Sequence, residues 1–182
     1  MEDILVRAPA RPADRDDQAW VAELFDRHHG RLHRLAARMS RDVEEARDLV
    51  QETFLRAARS ARSLPSEAGP AEGWLVRTMV NLCRDRSRRL RLRGSPLPMD
   101  EAPEPARDPA PALQAVWEVR AALATLPARR RAVVVLHEIE DRPVAEIALL
   151  LGINDVTVRW HLMRARRELR ERLLPARRGA TS

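Results

Sequence analysis

The sequence predicts an all-α protein of two small helical domains joined by a proline-rich linker, the C-terminal domain a helix-turn-helix. Glycine is scarce, alanine, leucine and arginine dominate, and no cluster of strand-forming residues is present. Apolar residues recur with helical spacing on both sides of a proline-rich, acidic stretch at 94–111. Residues 143–169 have the pattern of two helices around an isolated glycine. These three observations predict the fold class.

The charge pattern predicts a polyanionic partner. The 182 residues carry a formal charge of +6, and all 33 basic residues are arginines. Arginine binds phosphate and guanine bidentately, which favours a nucleic acid. Cys83 is the single cysteine, so we expect no disulfide, a core position for Cys83 and a cytoplasmic location. No apolar run reaches the roughly 20 residues of a membrane span, so no membrane insertion is expected.

The chain is predicted to begin with a flexible arm at 1–16 and a helix over 17–39. This helix carries His28, His29 and His33. Histidines four apart can hold a metal, but no third ligand is evident. We therefore predict polar helix surface at the histidines and no metal site.

The next predicted helix, over 42–62, has two contrasting faces. Its buried stripe is predicted to contain Val43, Ala46, Val50, Phe54 and Ala57. The opposite face carries an acidic and amide patch with one leucine, made of Asp48, Gln51, Glu52 and Leu55. The residue pattern alone favours plain solvated surface there over a docking face for a basic partner helix.

Residues 64–73 contain two prolines and two glycines and are predicted to be a loop. A helix is predicted from Trp74, apolar in its first half and rich in arginine over 84–93. Asn81 lies at the transition, where an amide is suited to reading a base edge. The second half is predicted to bind phosphates, with a solvated arginine tail as the alternative.

The second half of the chain is predicted to be helical over 112–139. The run from Val133 to Leu136 favours a strand by propensity, but charged residues bracket it and a helical hairpin follows, so we predict helix. In that hairpin Gly152 is predicted to end the first helix in a left-handed conformation, and Asn154 to cap the second.

The last helix is predicted to be a major-groove recognition helix. Val158, Leu162, Ala165 and Leu169 form its buried stripe. Donor-rich side chains occupy the other face, namely Arg159, Trp160, His161, Met163, Arg164, Arg166 and Arg167. The alternative is an ordinary hairpin with a solvated basic face. No phosphate loop, serine elbow or paired-carboxylate pattern is present, so we expect no enzyme and no cofactor.

Taken together, these stretches resemble the bacterial extracytoplasmic-function (ECF) sigma factors of the sigma-70 family. The resemblance covers about residues 20–93 and 112–173 and is specific as an ordered set. The stretches that carry it are LFDRHHGRLHRLAARM, DVEEARDLVQETFLRAAR, WLVRTMVNLCRDRSRR, ALATLPARRRAVVVLHEIEDRPVAEIALLLGI and VTVRWHLMRARRELRERL.

The resemblance implies a division of labour between two domains. Residues 17–93 would be sigma domain 2, which binds core RNA polymerase and the −10 element. Residues 112–174 would be domain 4, which binds the −35 element, with a linker at 94–111 and a tail at 175–182. The polymerase would be contacted at its β′ clamp coiled coil and β flap. The clamp contact would fall on Asp48, Gln51, Glu52 and Leu55, so the resemblance favours a docking face there.

Promoter contacts follow from the same resemblance. Residues 64–73 and Asn81 would capture a flipped −10 base, and the phosphates would be held by Arg84, Arg86, Arg88 and Arg89. The −35 groove would face Arg159, Trp160, His161, Met163 and Arg164, with Arg166 and Arg167 near the backbone. An anti-sigma protein is a further expected partner.

Departures from the family pattern keep two alternatives open. The chain has no tyrosine, Ala71 stands where an aromatic is common, and Val156 and Trp160 replace a usual glycine and a usually small residue. The main alternative is a free-standing helix-turn-helix regulator that binds duplex DNA without polymerase. The other is an RNA- or protein-binding adaptor on a sigma scaffold.

Overall fold

The protein, seen in a computed structural model, is described over residues 16–40, 42–92 and 111–173. Within these ranges it forms seven α-helices and no strand, which confirms the all-α prediction. The predicted arm, linker and tail lie outside the described residues except for Asp16 and Pro111, and Pro111 is already the first residue of a helix.

The first two helices form an antiparallel pair. Helix α1 spans Asp17–Met39, as predicted, and helix α2 spans Val43–Arg59. An aspartate caps each start, because the Asp16 and Asp42 carboxylates accept backbone N–H bonds from the first turn. The predicted extension to residue 62 is wrong, since α2 ends at Arg59 and Ala61–Ser63 forms a single 3₁₀ turn.

Helix α3 spans Ala68–Leu92, so the predicted loop over residues 64–73 is wrong in its second half. The first helical bond runs from the Ala71 N–H to the Glu67 carbonyl, which makes Glu67 the cap residue. Pro70 therefore lies in the first turn, where its missing N–H would have no intrahelical partner. Gly73 is buried against the Leu149 and Leu150 carbonyls of a later helix, and the lack of a side chain permits this close packing.

Helices α4 and α5 span Pro111–Thr125 and Ala128–Val134, and α5 continues as a π-helical turn over Val135–Ile139. The predicted helical state of the run from Val133 to Leu136 is confirmed, and all four side chains are buried.

The helix-turn-helix consists of α6, Val144–Leu151, and α7, Asp155–Leu173. Gly152 adopts φ 61° and ψ 44°, the predicted left-handed conformation. The Asn154 side chain accepts the Thr157 N–H at 2.7 Å, which confirms the predicted N-cap.

Burial agrees with most of the predicted stripes. Val158, Leu162 and Ala165 are buried on α7, and Cys83 is a buried core residue on α3. The prediction that Val43 lies in the α2 core is wrong, because Val43 is 60% exposed at the first turn. The prediction of polar surface at His28 is also wrong, because this side chain is only 8% exposed.

The two halves of the chain pack against each other through α3, which contacts both α5 and α6. Their buried apolar residues form one continuous cluster. The Arg77 guanidinium on α3 donates to the Leu149 and Leu150 carbonyls at 3.2 and 3.3 Å, so it caps the C-terminus of α6. The buried Arg131 of α5 donates to the Met39 carbonyl at the end of α1.

A charged cluster completes the contact between the halves. Arg31 of α1 pairs with Glu72 of α3 and, at 3.0 Å, with Glu140 after the π turn. Arg38 approaches the same Glu140 carboxylate at 4.0 Å. The Arg31 and Glu140 side chains are only 16% and 13% exposed, so water screens this pair weakly.

Candidate protein- and nucleic-acid-binding surfaces

The predicted docking face on α2 is solvent-accessible. Asp48, Gln51 and Leu55 are exposed and Glu52 is half-buried. All four line a cleft of about 340 Å³ between α2 and α3, which we call the α2–α3 cleft. Its other wall is formed by Leu82, Asp85, Arg86 and Arg89 of α3. The structure thus brings the predicted polymerase contacts and two of the predicted phosphate contacts into one cleft.

Ion pairs cross and border this cleft. Arg86 donates to the Asp48 carboxylate at 2.9 Å and lies 4.0 Å from Glu45. Arg84 pairs with Asp85 at 3.3 Å. Arg86 and Arg84 therefore already have acidic partners within the protein.

Two of the predicted phosphate contacts have no acidic partner within the described part of the chain. Arg88 and Arg89 are exposed near the end of α3. Their guanidinium groups are consequently the most available of the four for an external anion.

A second cleft, of about 400 Å³, lies on the other side of α2 and was missed by sequence reasoning. Phe25 stacks on His29 at 4.6 Å and meets Phe54 edge-to-face at 4.9 Å. Gln51 and Leu55 line both clefts, so the two clefts adjoin on either side of these residues. The spacing of Phe25, His29 and His33 along α1 was the available sequence signal.

The predicted −10 region differs from the expected loop. Only residues 64–67 are non-helical, and Leu64 and Ala71 are buried. Asn81 is half-buried on α3, one turn before Asp85. The structure therefore places Asn81 and the four arginines on one helix and does not gather them around an open loop.

The predicted recognition face on α7 is largely exposed. Its exposed positions are Arg159, Trp160, Met163, Arg164, Arg166 and Arg167. Arg166 pairs with Glu138 of the π turn at 2.8 Å, and this hydrogen bond lowers the Glu138 pKa. Arg166 thus lies at the flank of the face, already bound to a carboxylate.

His161 lies at the opposite flank of α7 and is partly buried. Burial lowers its pKa first, and the charges of Arg130 and Arg129 lower it further. Because these arginines belong to α5, His161 points toward the body of the domain. It is the least exposed of the seven predicted residues.

Trp160 is held in place by neighbours that sequence reasoning did not connect to it. The Arg130 and Arg164 guanidinium carbons lie 5.5 and 5.9 Å from its ring centroid. His161 packs edge-to-face against it at 4.9 Å. The arginine run 129–131 was visible in the sequence, but its proximity to Trp160 depends on how α5 packs on α7.

The described residues contain no group of three or more His, Cys, Asp or Glu side chains able to hold a metal ion. No helix in the described ranges is long and apolar enough to cross a membrane.

Comparison with known families matches both halves of the chain. Residues 24–93 match the family model Sigma-70 region 2, and residues 117–169 match Sigma-70, region 4. The first range contains the α2–α3 cleft, and the second contains α6, the turn and α7 up to residue 169.

Curated relatives are ECF RNA polymerase sigma factors. SigE of Mycolicibacterium smegmatis is 40% identical over 159 residues, covering 83% of this chain and 60% of that protein. SigM of Mycobacterium tuberculosis is 37% identical over 147 residues, covering 81% of this chain and 74% of that protein. SigL of the same species is 33% identical over 157 residues, covering 85% and 89%.

Solved structures share the fold. CnrH in complex with the cytosolic domain of CnrY gives a TM-score of 0.57 at 26% identity, covering 88% of this chain and 90% of that one. The sigma factor RpoE of Bartonella quintana, solved with the anti-sigma factor NepR, gives 0.56 at 22% identity, covering 88% and 98%. Two region models in order, with relatives matched over most of their length, show that this chain belongs to the ECF sigma factors of the sigma-70 family.

Proposed function

We propose that this chain binds core RNA polymerase and directs it to promoters that carry −10 and −35 elements. The observation that carries this is the order of the two sigma regions along one chain, each on an exposed surface of the expected chemistry. Sigma factors are not a catalytic family, and the proposal gives the chain no enzymatic activity and no cofactor. It would act in the cytoplasm, where the polymerase works.

The proposal assigns the polymerase contact to domain 2, residues 17–93. Asp48, Gln51, Glu52 and Leu55 would meet the β′ clamp coiled coil, and three exposed or half-buried polar side chains beside one leucine support this. A basic helix would find acceptors there and an apolar anchor at Leu55, which is 43% exposed. Domain 4, residues 112–174, would meet the β flap.

The proposal assigns promoter contacts to both domains. On α3, Asn81 would read a −10 base, and Arg88 and Arg89 would reach phosphates more readily than Arg84 and Arg86, which are paired. On α7, the −35 groove would face Arg159, Trp160, Met163 and Arg164, with Arg167 near the backbone. Arg166 and His161 would contribute from the flanks.

The family likewise supports an anti-sigma protein as a further partner. The solved CnrH structure holds the cytosolic domain of CnrY, and such a protein would cover surfaces that this chain exposes. A free-standing duplex-binding regulator is the alternative function, and the exposed acidic face of α2 disfavours it, since operator binding alone makes no use of that face.

Reconstitution with purified core polymerase tests the proposal. The chain is expected to bind core and initiate transcription at discrete genomic sites. A Gln51→Ala, Glu52→Arg double variant is expected to do neither while melting normally, because it removes an amide and reverses a charge on the docking face.

A charge-matched control is available on α1. Glu52 pairs with Arg56 one turn later at 3.0 Å, and Glu23 pairs with Arg27 in the same way at 2.8 Å. Glu23→Arg therefore breaks an equivalent ion pair away from α2 and should retain core binding. Duplex binding without any core binding by the unaltered chain would replace the sigma function with the free-standing regulator.

A further inference from the structure

The recognition helix carries an exposed apolar row where hydrogen-bonding side chains would be expected. Val156, Trp160 and Met163 are 72%, 46% and 60% exposed, and their spacing of four and three places them on one side of α7. We call them the apolar row. They occupy the first three turns of α7, the part of a recognition helix that contacts base edges.

The orientation of this row is fixed by the opposite side of the helix. Val158, Leu162 and Ala165 are buried in the domain core, so α7 cannot rotate to hide the apolar row. Asn154 and Gly152 set the start of the helix at the turn. The row is therefore presented outward by the packing of the domain and is not a consequence of a loose helix.

Trp160 is pre-organised at the centre of the row. Arg130 and Arg164 stack against its ring, and Arg130 is itself held by Glu168 through an ion pair at 2.5 Å. His161 closes the edge of the indole. Because these contacts restrict the ring before any partner arrives, binding through Trp160 loses little side-chain entropy.

The surroundings of the row identify its occupant. Arg159 and Arg164 lie on either side of the row, three residues after Val156 and four after Trp160, and both are exposed. Arg167 follows Met163 by one turn, in line with the row. Arg159 and Arg167 also pair on the helix surface with Asp155 at 3.8 Å and Glu171 at 2.9 Å, and their side chains remain 64% and 74% exposed. An occupant must therefore present anionic groups on both sides of an apolar surface. Duplex DNA has phosphates along both edges of the major groove, and its apolar groups there are the C5 methyls of thymine.

We propose that the apolar row reads thymine methyl groups in the −35 element, with Trp160 as the principal specificity-determining residue. The inference rests on the proposed function, because it gives chemical content to −35 recognition by α7. A −35 element bound by this chain would then carry thymines, on either strand, at the base pairs that face Val156, Trp160 and Met163.

The test removes methyl groups and nothing else. Promoter fragments are first selected from a random duplex pool with the chain alone and with the chain bound to core polymerase. Each thymine of the selected −35 region is then replaced singly by uracil, which keeps every hydrogen-bonding group. Dissociation constants are measured for the thymine and uracil duplexes.

For the unaltered chain we expect uracil at one or more positions to weaken binding about fourfold for each methyl group that the apolar row covers. Trp160→Ala should bind the thymine duplex more weakly and no longer distinguish uracil at the position that Trp160 faces. Trp160 is half-exposed, so the variant is expected to fold, and a melting curve checks this. Leu173→Ala is a matched control, because it removes an exposed apolar side chain from the far end of α7.

The possible outcomes distinguish a failure of this inference from a failure of the proposed function. Selected −35 elements without thymine, or equal binding of thymine and uracil duplexes, would overturn the inference and leave −35 recognition standing. Retention of the full thymine preference by Trp160→Ala would also overturn it. If no duplex is enriched with or without core polymerase, the proposed function fails and the inference fails with it. Capture of a protein helix by α7 without DNA preference counts against it too.

Discussion

At the scale of single residues, His28 is a buried imidazole on a helix that is otherwise rich in exposed charge. Burial lowers its pKa below the ordinary value of 6.5, and the charges of Arg27 and Arg31 lower it further. The folded chain therefore keeps His28 neutral at pH values where the unfolded chain binds a proton there.

This lowered pKa predicts a pH dependence of stability. The contribution of neutral His28 is fully present above about pH 6.5 and falls as the pH drops from there toward the folded-state pKa. His28→Leu should flatten the change in melting temperature between about pH 7.5 and about pH 5.5. His161 acts with the same sign, so some slope remains.

His33→Gln is the control for this measurement, since it removes a less buried imidazole from the same helix. Identical slopes for His28→Leu and the unaltered chain would show that His28 titrates alike in the folded and unfolded states.

At the scale of single helices, the start of α7 depends on one side chain. The Asn154 side-chain Oδ1 accepts the Thr157 N–H, which otherwise has no partner in the first turn. Asn154→Ala should lower the free energy of unfolding by about 1 kcal/mol. Denaturant unfolding measures the change. Asn154→Asp, which keeps the acceptor, should retain most of the stability.

The start of α3 offers a matched pair of glycines. A Cβ at Gly69 would meet nothing within 4 Å, whereas a Cβ at Gly73 would lie 3.0 Å from Arg77 Nη1. Gly69→Ala should therefore leave stability unchanged or raise it by up to about 1 kcal/mol. Gly73→Ala should lower it, because the Arg77 guanidinium must move from the α6 carbonyls it caps.

Thermal unfolding of the two alanine variants tests this difference. An equal gain for Gly73→Ala and Gly69→Ala would mean that Arg77 moves without cost and that its bonds to α6 contribute little to stability.

These elements also show how far sequence reasoning reaches. The turn at Gly152 and Asn154 was predictable because its causes are local, a left-handed glycine and a capping amide. The start of α3 was not predictable, because two glycines and a proline within residues 69–73 disfavour a helix. Only the packing of Gly73 against α6 explains why a glycine lies in this helix. Arg77 and Arg131 gave no local signal of their contacts between the halves, since the Leu149 and Met39 carbonyls that they bind lie far from them in the sequence.

In the candidate sites, too, features set within one helix were predictable and contacts between helices were not. The exposed face of α2 and the outer face of α7 follow from helical periodicity, so the sequence placed them on the surface correctly. The Asp48–Arg86 pair, the Phe25–Phe54 contact and the stacking of Arg130 on Trp160 all join separate helices. Periodicity within one helix carries no information about such pairs.

At the scale of the whole molecule, the two halves are held together partly by charge. Glu140 accepts from Arg31 and lies near Arg38, and all three side chains are at least partly withdrawn from water. Glu140→Ala should weaken the packing of α1 against the second half by about 1–3 kcal/mol, since charged hydrogen bonds are removed and a guanidinium is left underpaired.

The expected result is a larger radius of gyration in solution, or a longer distance between labels on the two halves. Glu44→Ala is the control, because Glu44 is 77% exposed and pairs with Arg47 within α2. An unchanged distance in Glu140→Ala, under conditions where the chain remains folded, would mean that the apolar contacts of α3 suffice for packing.

The ion pair between Asp48 and Arg86 has a consequence for how partners affect each other. The Asp48 carboxylate lies on the proposed polymerase face and the Arg86 guanidinium on the proposed phosphate-binding helix. In the free chain the two groups form an ion pair with each other. A partner that binds the Asp48 carboxylate leaves the Arg86 guanidinium available to an anion. By thermodynamic linkage, an anion bound to Arg86 raises the affinity of the partner for Asp48 by the same factor. Because both groups are substantially exposed, the coupling is worth at most about 1 kcal/mol, or roughly fivefold in affinity.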